Sequence, residues 1–264
     1  MALAGRARRA LGDAVRWERR TIGVTGLVPP LLRGRLRRLL GMGSLQDARR
    51  YAPAGGLEEL FDTLHRRNAS YVVIRWFESL PGSADGDIDF LIADDAIATF
   101  EELLEADAGG VPCDLYSATG VRGYRYAGMS YYPSLLAQRI LARRTTAAGK
   151  VSVPCPEDHF FSLAYHALYQ KGLRSGLPTS LSLQPEAAPL HDYEGTLKRL
   201  AAALQLPVQS SMEGLDALLA SRGWRPPAAM LKRLARQNKW VRMYFFDRRL
   251  FAPSPDDQGL FVDG

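Results

Sequence analysis

The chain has 264 residues, of which 47% are hydrophobic, and a formal net charge of +6. This length and apolar content allow a sizeable core, arranged as one large domain or two small ones. No apolar run reaches the roughly 18 residues of a transmembrane helix, and two cysteines make no disulfide framework. The charged first twenty residues argue against a secretory signal. The composition therefore predicts a cytoplasmic globular protein.

The positive charge is concentrated at the N-terminus. Residues 1–50 hold twelve Arg and no Lys against three acidic residues, a balance of +9, so the remaining 214 residues carry about −3. Residues 31–40 read LLRGRLRRLL, a basic amphipathic pattern that suits an anionic surface, although its leucines could instead dock on the domain. We predict a basic segment over 1–50 that makes peripheral contact with the inner membrane surface through residues 1–45. The acidic remainder argues against nucleic acid, which requires a basic track.

The next segment alternates helices and strands. Apolar residues recur at helical spacing over 57–68, and the β-branched and aromatic run 71–76 predicts a strand. A turn-rich connector over 77–86 leads to a second strand, then to a helix that begins near Asp94 and a third strand over 111–116. This order predicts a small mixed sheet flanked by helices, the α/β core over residues 51–120.

The rest of the chain is predicted to be helical. Helices are expected to begin at Pro133 and near Glu157, and further helices are expected over 193–206, 212–222 and 227–248. We assign residues 121–252 to a helical subdomain and 253–264 to a flexible tail. The predicted fold class is α+β, a small mixed sheet flanked by helices with a C-terminal helical subdomain.

Three carboxylates stand out inside the predicted strands. Residues 86–92 read GDIDFLI and residues 112–116 read PCDLY, so Asp87, Asp89 and Asp114 lie within short apolar runs. Asp87 and Asp89 are two residues apart and share one face of an extended strand. An Asp-x-Asp pair alone is common in turns, but charges in a central strand are costly unless they are paired or metal-bound. If the two strands pair, the carboxylates predict a site for Mg²⁺ or Mn²⁺.

This arrangement resembles the nucleotidyltransferase superfamily that includes DNA polymerase β and the minimal nucleotidyltransferases, and is most similar to divergent bacterial members. The resemblance covers about residues 57–117. It implies that Asp87, Asp89 and Asp114 are the catalytic acids, that they bind two Mg²⁺ ions, and that an NTP is the substrate. One ion would hold the nucleotide phosphates and the other would activate the acceptor hydroxyl.

The chain departs from the family pattern at one position. The usual Gly-Ser motif at the end of the first strand is replaced by IRWFE over residues 74–78, with Trp76 where divergent members have Gly. A Gly-Ser pair does occur, but Ser83 is only four residues ahead of Asp87. Arg75 and Ser83 are the candidate nucleotide contacts. Arg75 has two open alternatives, a contact to the triphosphate or a salt bridge to one of the acids.

Other side chains are weaker candidates. His159 and His166 are seven residues apart on one predicted helix, too far for one shared metal, and a structural role is the default for His166. Tyrosines that could stack on a base or pack in the core are Tyr124, Tyr126, Tyr131 and Tyr132. Cations that could line a phosphate path or lie on a solvated face are Arg139, Arg143, Arg144, Lys171 and Arg174.

Two functions follow from these observations. The first is a metal-dependent nucleotidyltransferase that moves NMP from an NTP to a hydroxyl-bearing acceptor, which is a small molecule, a sugar or a protein. The acidic triad motivates it. The alternative is a catalytically silent binding or scaffold module with the same fold, motivated by the Arg75-Trp76 departure and by the basic N-terminal segment.

Overall fold

The computed structural model describes residues 49–53, 56–104, 110–126, 128–183, 189–207 and 211–247. The predictions for residues 1–45 and 253–264 fall outside these residues. Within them the strands are β1 (Arg49–Tyr51), β2 (Tyr71–Val73), β3 (Ile88–Ile92), β4 (Pro112–Ser117), β5 (Thr145–Ala147) and β6 (Val151–Val153). The α-helices are α1 (Leu57–Arg66), α2 (Ile97–Leu103), α3 (Ser134–Ala142), α4 (Pro156–Tyr165), α5 (Tyr193–Ala203), α6 (Met212–Ser221), α7 (Ala228–Leu234) and α8 (Lys239–Phe246). The fold is α+β, as predicted.

The main sheet has four strands in the order β1-β4-β3-β2. Strands β3 and β4 are parallel, whereas β1 pairs antiparallel with β4 and β2 pairs antiparallel with β3. The connector over residues 74–87 contains no helix and joins the antiparallel pair, whereas α2 provides the crossover that a parallel pair needs. This confirms the predicted mixed sheet and adds β1, an edge strand that the sequence did not predict.

The two faces of the sheet pack into different cores. Along β3, Ile88, Phe90 and Ile92 belong to the core that α1 and α2 cover, whereas Leu91 belongs to the larger core of the helical half. Strand β4 alternates in the same way, with Leu115 in the first core and Tyr116 in the second. Because side chains alternate along a strand, Asp89 and Asp114 lie on the face that meets the helical half.

The hairpin formed by β5 and β6 covers part of the first core. Its strands pair antiparallel, and Val151 and Val153 are buried there. The Tyr71 hydroxyl accepts a hydrogen bond from the Ser152 N–H at 3.3 Å, which ties the hairpin to β2. The sequence prediction assigned this segment to a helical subdomain and missed the hairpin, because three-residue strands carry little periodicity.

The helical half differs from the prediction in two places: one predicted helix is divided into two, and another continues as a π-helix. The single helix predicted over 227–248 is wrong, because α7 and α8 are separated at Asn238. The Asn238 side chain accepts from the Val241 N–H at 3.1 Å and donates to the Leu168 carbonyl at 2.8 Å. Helix α4 continues as a π-helix over His166–Lys171. Within the described residues, no helix combines the length and apolar character needed to cross a membrane.

Candidate functional site

The three predicted acids gather at one end of the parallel strand pair. Asp89 and Asp114 are directly paired in the β3–β4 register, and both are buried. Asp87 directly precedes β3 and is exposed. Gly86 before it has a φ of 106°, a conformation that L side chains rarely adopt and that turns the connector into the strand. The site therefore has two interior carboxylates and one at its solvent edge.

Asp89 is held by two neighbours on its own side of the sheet. Nη2 of Arg75 lies 2.7 Å from Oδ1 of Asp89, and both side chains are about 93% buried. The Tyr116 hydroxyl donates to the same oxygen at 3.3 Å. The backbone continues the β2–β3 pairing here, since the Ile74 N–H donates to the Asp89 carbonyl at 3.0 Å. Of the two alternatives for Arg75, the salt bridge is formed, and a contact to nucleotide stays a prediction.

The electrostatics of Asp89 reflect a crowded acidic site. The pKa of Asp89 is raised to about 6 as the net result of burial, which raises it most, the charge of Arg75, which lowers it, and the charges of Asp87 and Asp114, which raise it. The three carboxylates are therefore close enough to act on one another. Arg75 offsets only part of the cost of ionising Asp89 in this buried position.

The donor set suits a hard divalent cation. Three carboxylates in electrostatic contact offer the oxygen ligands that Mg²⁺ and Mn²⁺ take in proteins. Among the described residues, no group of three or more His, Cys, Asp or Glu is arranged as a metal site. Oδ1 of Asp89 is paired with Arg75. The residues that would hold a metal are Asp87, Asp89 and Asp114, and their role as ligands stays a prediction.

Trp76 occupies an unusual backbone position beside the acids. Its φ is 53°, in the left-handed region that bulky residues rarely adopt and that glycine adopts readily. Its ring stacks on His191, with ring centroids 4.2 Å apart and an interplanar angle of 15°, and Tyr193 meets its edge. The backbone at position 76 thus has a conformation that glycine adopts readily, while its side chain packs against the helical half.

A hydrogen-bonded chain of side chains lies on the other side of Arg75. The Tyr131 hydroxyl bonds to Nδ1 of His166, and Nε2 of His166 lies 3.2 Å from the Tyr193 hydroxyl. Burial, and then the charge of Arg75, lower the pKa of His166 well below its usual value. A neutral imidazole has one donor and one acceptor, so His166 bridges the two hydroxyls. The guanidinium of Arg75 lies over the Tyr131 ring, 5.7 Å from its centroid.

Of the other predicted candidates, some lie near the acids and others lie elsewhere in the structure. Lys171 is half-buried, and burial and the charges of Arg75 and Arg174 lower its pKa, while Asp89 and Asp87 raise it. Arg139 instead pairs with Asp158, from Nε to Oδ1 at 2.6 Å. Ser83 is exposed in the connector. The sequence singled out Tyr131, His166 and Lys171 only as weak candidates.

The sequence analysis did not select three side chains that contact Asp89 or Trp76 or their neighbours: Tyr116, His191 and Tyr193. Tyr116 carries one available signal, because it lies two residues after Asp114 and so shares its face of the strand. His191 and Tyr193 reach Trp76 only through the fold. Comparison with known proteins found no match for this chain among family models, curated proteins or solved structures.

Proposed function

We propose that the chain is a metal-dependent nucleotidyltransferase, which moves NMP from an NTP to a hydroxyl-bearing acceptor. One observation carries this proposal: Asp89 and Asp114 are directly paired on parallel strands, with Asp87 two residues ahead of Asp89 at the solvent edge. Buried like charges are costly to maintain, and catalysis by metal is a function that requires them. The resemblance of residues 57–117 to the nucleotidyltransferase superfamily supports the same conclusion.

The chemistry assigns distinct tasks to the residues. The acceptor oxygen bonds to the α-phosphorus as the bond to the departing pyrophosphate breaks, and the hydroxyl proton is lost to solvent. Held by Asp87, Asp89 and Asp114, Mg²⁺ or Mn²⁺ would supply charge neutralisation for the phosphates and the acceptor oxygen. Arg75 and Tyr116 orient Asp89 before ligands arrive, since both bond to Oδ1. Asp87 and Ser83 are exposed and are the residues first met by an incoming metal–NTP complex.

A catalytically silent binding module is the second candidate, and two specific observations favour it. Arg75 already neutralises Asp89, so a cation is not required to balance that charge. Position 76 carries an indole, stacked on His191, where a glycine would allow a closer approach of the backbone to a phosphate. In this reading the buried ion pair is structural and the site binds a ligand without reaction.

The discriminating experiment compares metal–nucleotide binding in wild type and two variants. Thermal melts are recorded with Mg²⁺ or Mn²⁺ and each of the four NTPs, and pyrophosphate release is assayed with a panel of hydroxyl-bearing acceptors. A ligand present at about 100 times its dissociation constant adds about 2.7 kcal/mol, or several degrees in melting temperature. Asp87→Ala should lose this stabilisation with little change in its ligand-free melt, because Asp87 is exposed.

The matched control is Asp95→Ala, an exposed acid beyond the opposite end of β3. It should behave like the wild-type protein in both assays. Stabilisation by metal–NTP without pyrophosphate release would favour the silent module. No stabilisation by any NTP, or full stabilisation of Asp87→Ala, would contradict the proposed metal site.

A further inference from the structure

The surface formed by α7, α8 and the turn between them is strongly basic. Residues 51–264 carry about −3 overall, yet residues 217–246 hold seven Arg or Lys and no Asp or Glu. Four of these cations are exposed and form no salt bridge among the described residues: Lys232, Arg236, Lys239 and Arg242. Like charges that are not balanced locally repel one another, so this surface favours an anionic partner.

Helix α8 presents its accessible residues as one stripe. This α8 stripe consists of four exposed or half-exposed residues: Lys239, Arg242, Met243 and Phe246. Since successive residues of an α-helix are about 100° apart, these four fall within about 100° of one another around the helix axis. Trp240 and Val241 are buried in the larger core instead. The helix is therefore fixed to the domain by one side and presents the stripe on the other.

Phe246 gives the α8 stripe an apolar tip. Its side chain is 43% exposed, and it is the most exposed Phe, Tyr or Trp among the described residues. It lies four residues after Arg242 and seven after Lys239, so it shares their side of the helix. An aromatic ring gains free energy when it moves from water into an apolar phase. The α8 stripe thus combines positive charge with a ring that favours an apolar environment.

We propose that the α8 stripe docks on an anionic lipid membrane, with the helix lying along the membrane surface. Its two cations would pair with the phosphates and carboxylates of the lipid headgroups. Phe246 and Met243 would enter the boundary between headgroups and acyl chains, where aromatic and apolar side chains of interfacial helices are found. Lys232 and Arg236 would add to the electrostatic attraction. The proposal does not depend on the metal site.

A membrane fits this surface better than a nucleic acid does. Proteins that bind single strands combine a basic groove with several aromatic rings on which successive bases stack. The α8 stripe is one side of a helix, spans about 10 Å from Lys239 to Phe246, and has a single exposed ring. A lipid surface needs no groove, and it gives Met243 an apolar partner as well.

The α8 stripe is too small to hold the protein at a membrane by itself. Two cations and one ring provide weak, reversible binding, and stable attachment combines two such signals. The predicted contact of residues 1–45 is the other signal in this chain, and both would bind the same bilayer. The stripe then determines which side of the helical half faces the membrane.

The first test locates position 246 relative to the bilayer. Phe246→Cys is made in the full chain with Cys155→Ser, which removes the half-exposed thiol, and is labelled with an environment-sensitive dye. Vesicles of phosphatidylcholine and phosphatidylserine should shift the dye emission to the blue, and vesicles of phosphatidylcholine alone should not. The control is Glu59→Cys, exposed on α1 at the other face of the sheet, which should show no shift. A dye at position 246 that stays in water, whether or not the protein binds the vesicles, would overturn the proposal.

Charge variants of the full chain then separate membrane from nucleic acid. Lys239→Gln/Arg242→Gln should weaken binding to the anionic vesicles about 25-fold, at about fivefold per cation, and leave the melting temperature unchanged because both residues are exposed. The matched control is Lys198→Gln/Arg199→Gln, which removes two exposed cations of α5 that pair with acids and should bind like wild type. Equal vesicle binding by wild type and the first variant would overturn the proposal. Binding to oligothymidine that this variant loses, without vesicle binding, would assign the stripe to nucleic acid and also overturn it.

Discussion

The Arg75 guanidinium and the Asp89 carboxylate form an ion pair of 2.7 Å in which both side chains are almost fully removed from solvent. Repulsion among three carboxylates alone would make Asp89→Asn neutral or stabilising. The ion pair limits this gain, because the substitution leaves the Arg75 guanidinium buried without its counter-ion. Mutation of the pair therefore tests the stability of the fold separately from the proposed transfer activity.

We expect Arg75→Met to lower the free energy of unfolding by about 3 kcal/mol at neutral pH, because it leaves the buried Asp89 carboxylate without its counter-ion, and we expect Asp89→Asn to abolish nucleotidyl transfer. The double variant Arg75→Met/Asp89→Leu should recover stability to within about 1 kcal/mol of wild type, since an apolar pair of similar volume often replaces a buried ion pair at no cost. It should not recover transfer. Urea denaturation in EDTA and pyrophosphate release provide the two measurements. Intact transfer in Asp89→Asn would show that this carboxylate is structural only.

The raised pKa of Asp89 predicts a pH-dependent stability. Its pKa of about 6 exceeds the ordinary value of 3.8, so between these values the folded state holds a proton that the unfolded state has lost. This contribution to stability therefore falls as pH rises from about 4 to about 6 and is fully lost above that range. A shift of this size corresponds to on the order of 3 kcal/mol.

Histidines act in the opposite sense over the same range, so a variant is needed to isolate Asp89. Burial lowers the pKa of His159, His166 and His191, so each contributes stability that is lost as pH falls below its unfolded value. Asp89→Asn retains all three. The unfolding free energy of wild type relative to that of Asp89→Asn, both measured in EDTA, should therefore fall as pH rises through the window. A difference that stays constant with pH would show that Asp89 does not titrate there.

Strain at Trp76 can be measured without the confounding loss of its ring. Trp76→Ala and Trp76→Gly both remove the stack on His191, and they differ only in how readily they adopt a φ of 53°. The glycine variant should be more stable than the alanine variant by about 1 kcal/mol, after allowance for its larger unfolded-state entropy. Chemical denaturation of the pair tests this. Equal stability, or a more stable alanine variant, would mean that the backbone relaxes when the indole is removed.

The elements predicted correctly are those whose pattern is local. Strands β3 and β4 read as apolar runs, and α1 shows helical spacing of buried residues at Leu57, Leu60, Phe61 and Leu64. Strand β1 and the β5–β6 hairpin were missed because neither contains a β-branched and aromatic run like that of residues 71–76, and each gains its order from pairing. The break between α7 and α8 depends on Asn238, whose amide bonds to the distant Leu168 carbonyl. No local pattern contains that contact.

The residues of the candidate site divide in the same way: those with a local sequence pattern were predicted, and those brought together by distant contacts were not. The acids were visible because an Asp-x-Asp inside an apolar strand is a local conflict, and such conflicts mark functional positions. The salt bridge of Arg75 was one of two alternatives, the other being a contact to the triphosphate, because the sequence does not show which group the guanidinium reaches.

The basic N-terminal segment yields a last prediction, which does not depend on the metal site. Strand β1 begins at Arg49 and pairs with β4, so deletion of residues 1–45 leaves the sheet complete. The deletion should keep the melting temperature nearly unchanged and abolish binding to anionic lipid vesicles, because each Arg near an anionic bilayer contributes about 1 kcal/mol. Binding by the full chain should weaken as salt is added.

A matched variant separates charge from leucine docking. Replacement of Arg33, Arg35, Arg37 and Arg38 by Gln removes four positive charges and retains every leucine of residues 31–40. If the segment acts by charge, this variant should lose vesicle binding and keep the wild-type melting temperature, as the deletion does. If the leucines belong to the core, the deletion will melt earlier while the glutamine variant will not, because only the deletion exposes the apolar surface beneath them. That second pattern would refute the membrane-contact prediction and assign residues 31–40 to the fold.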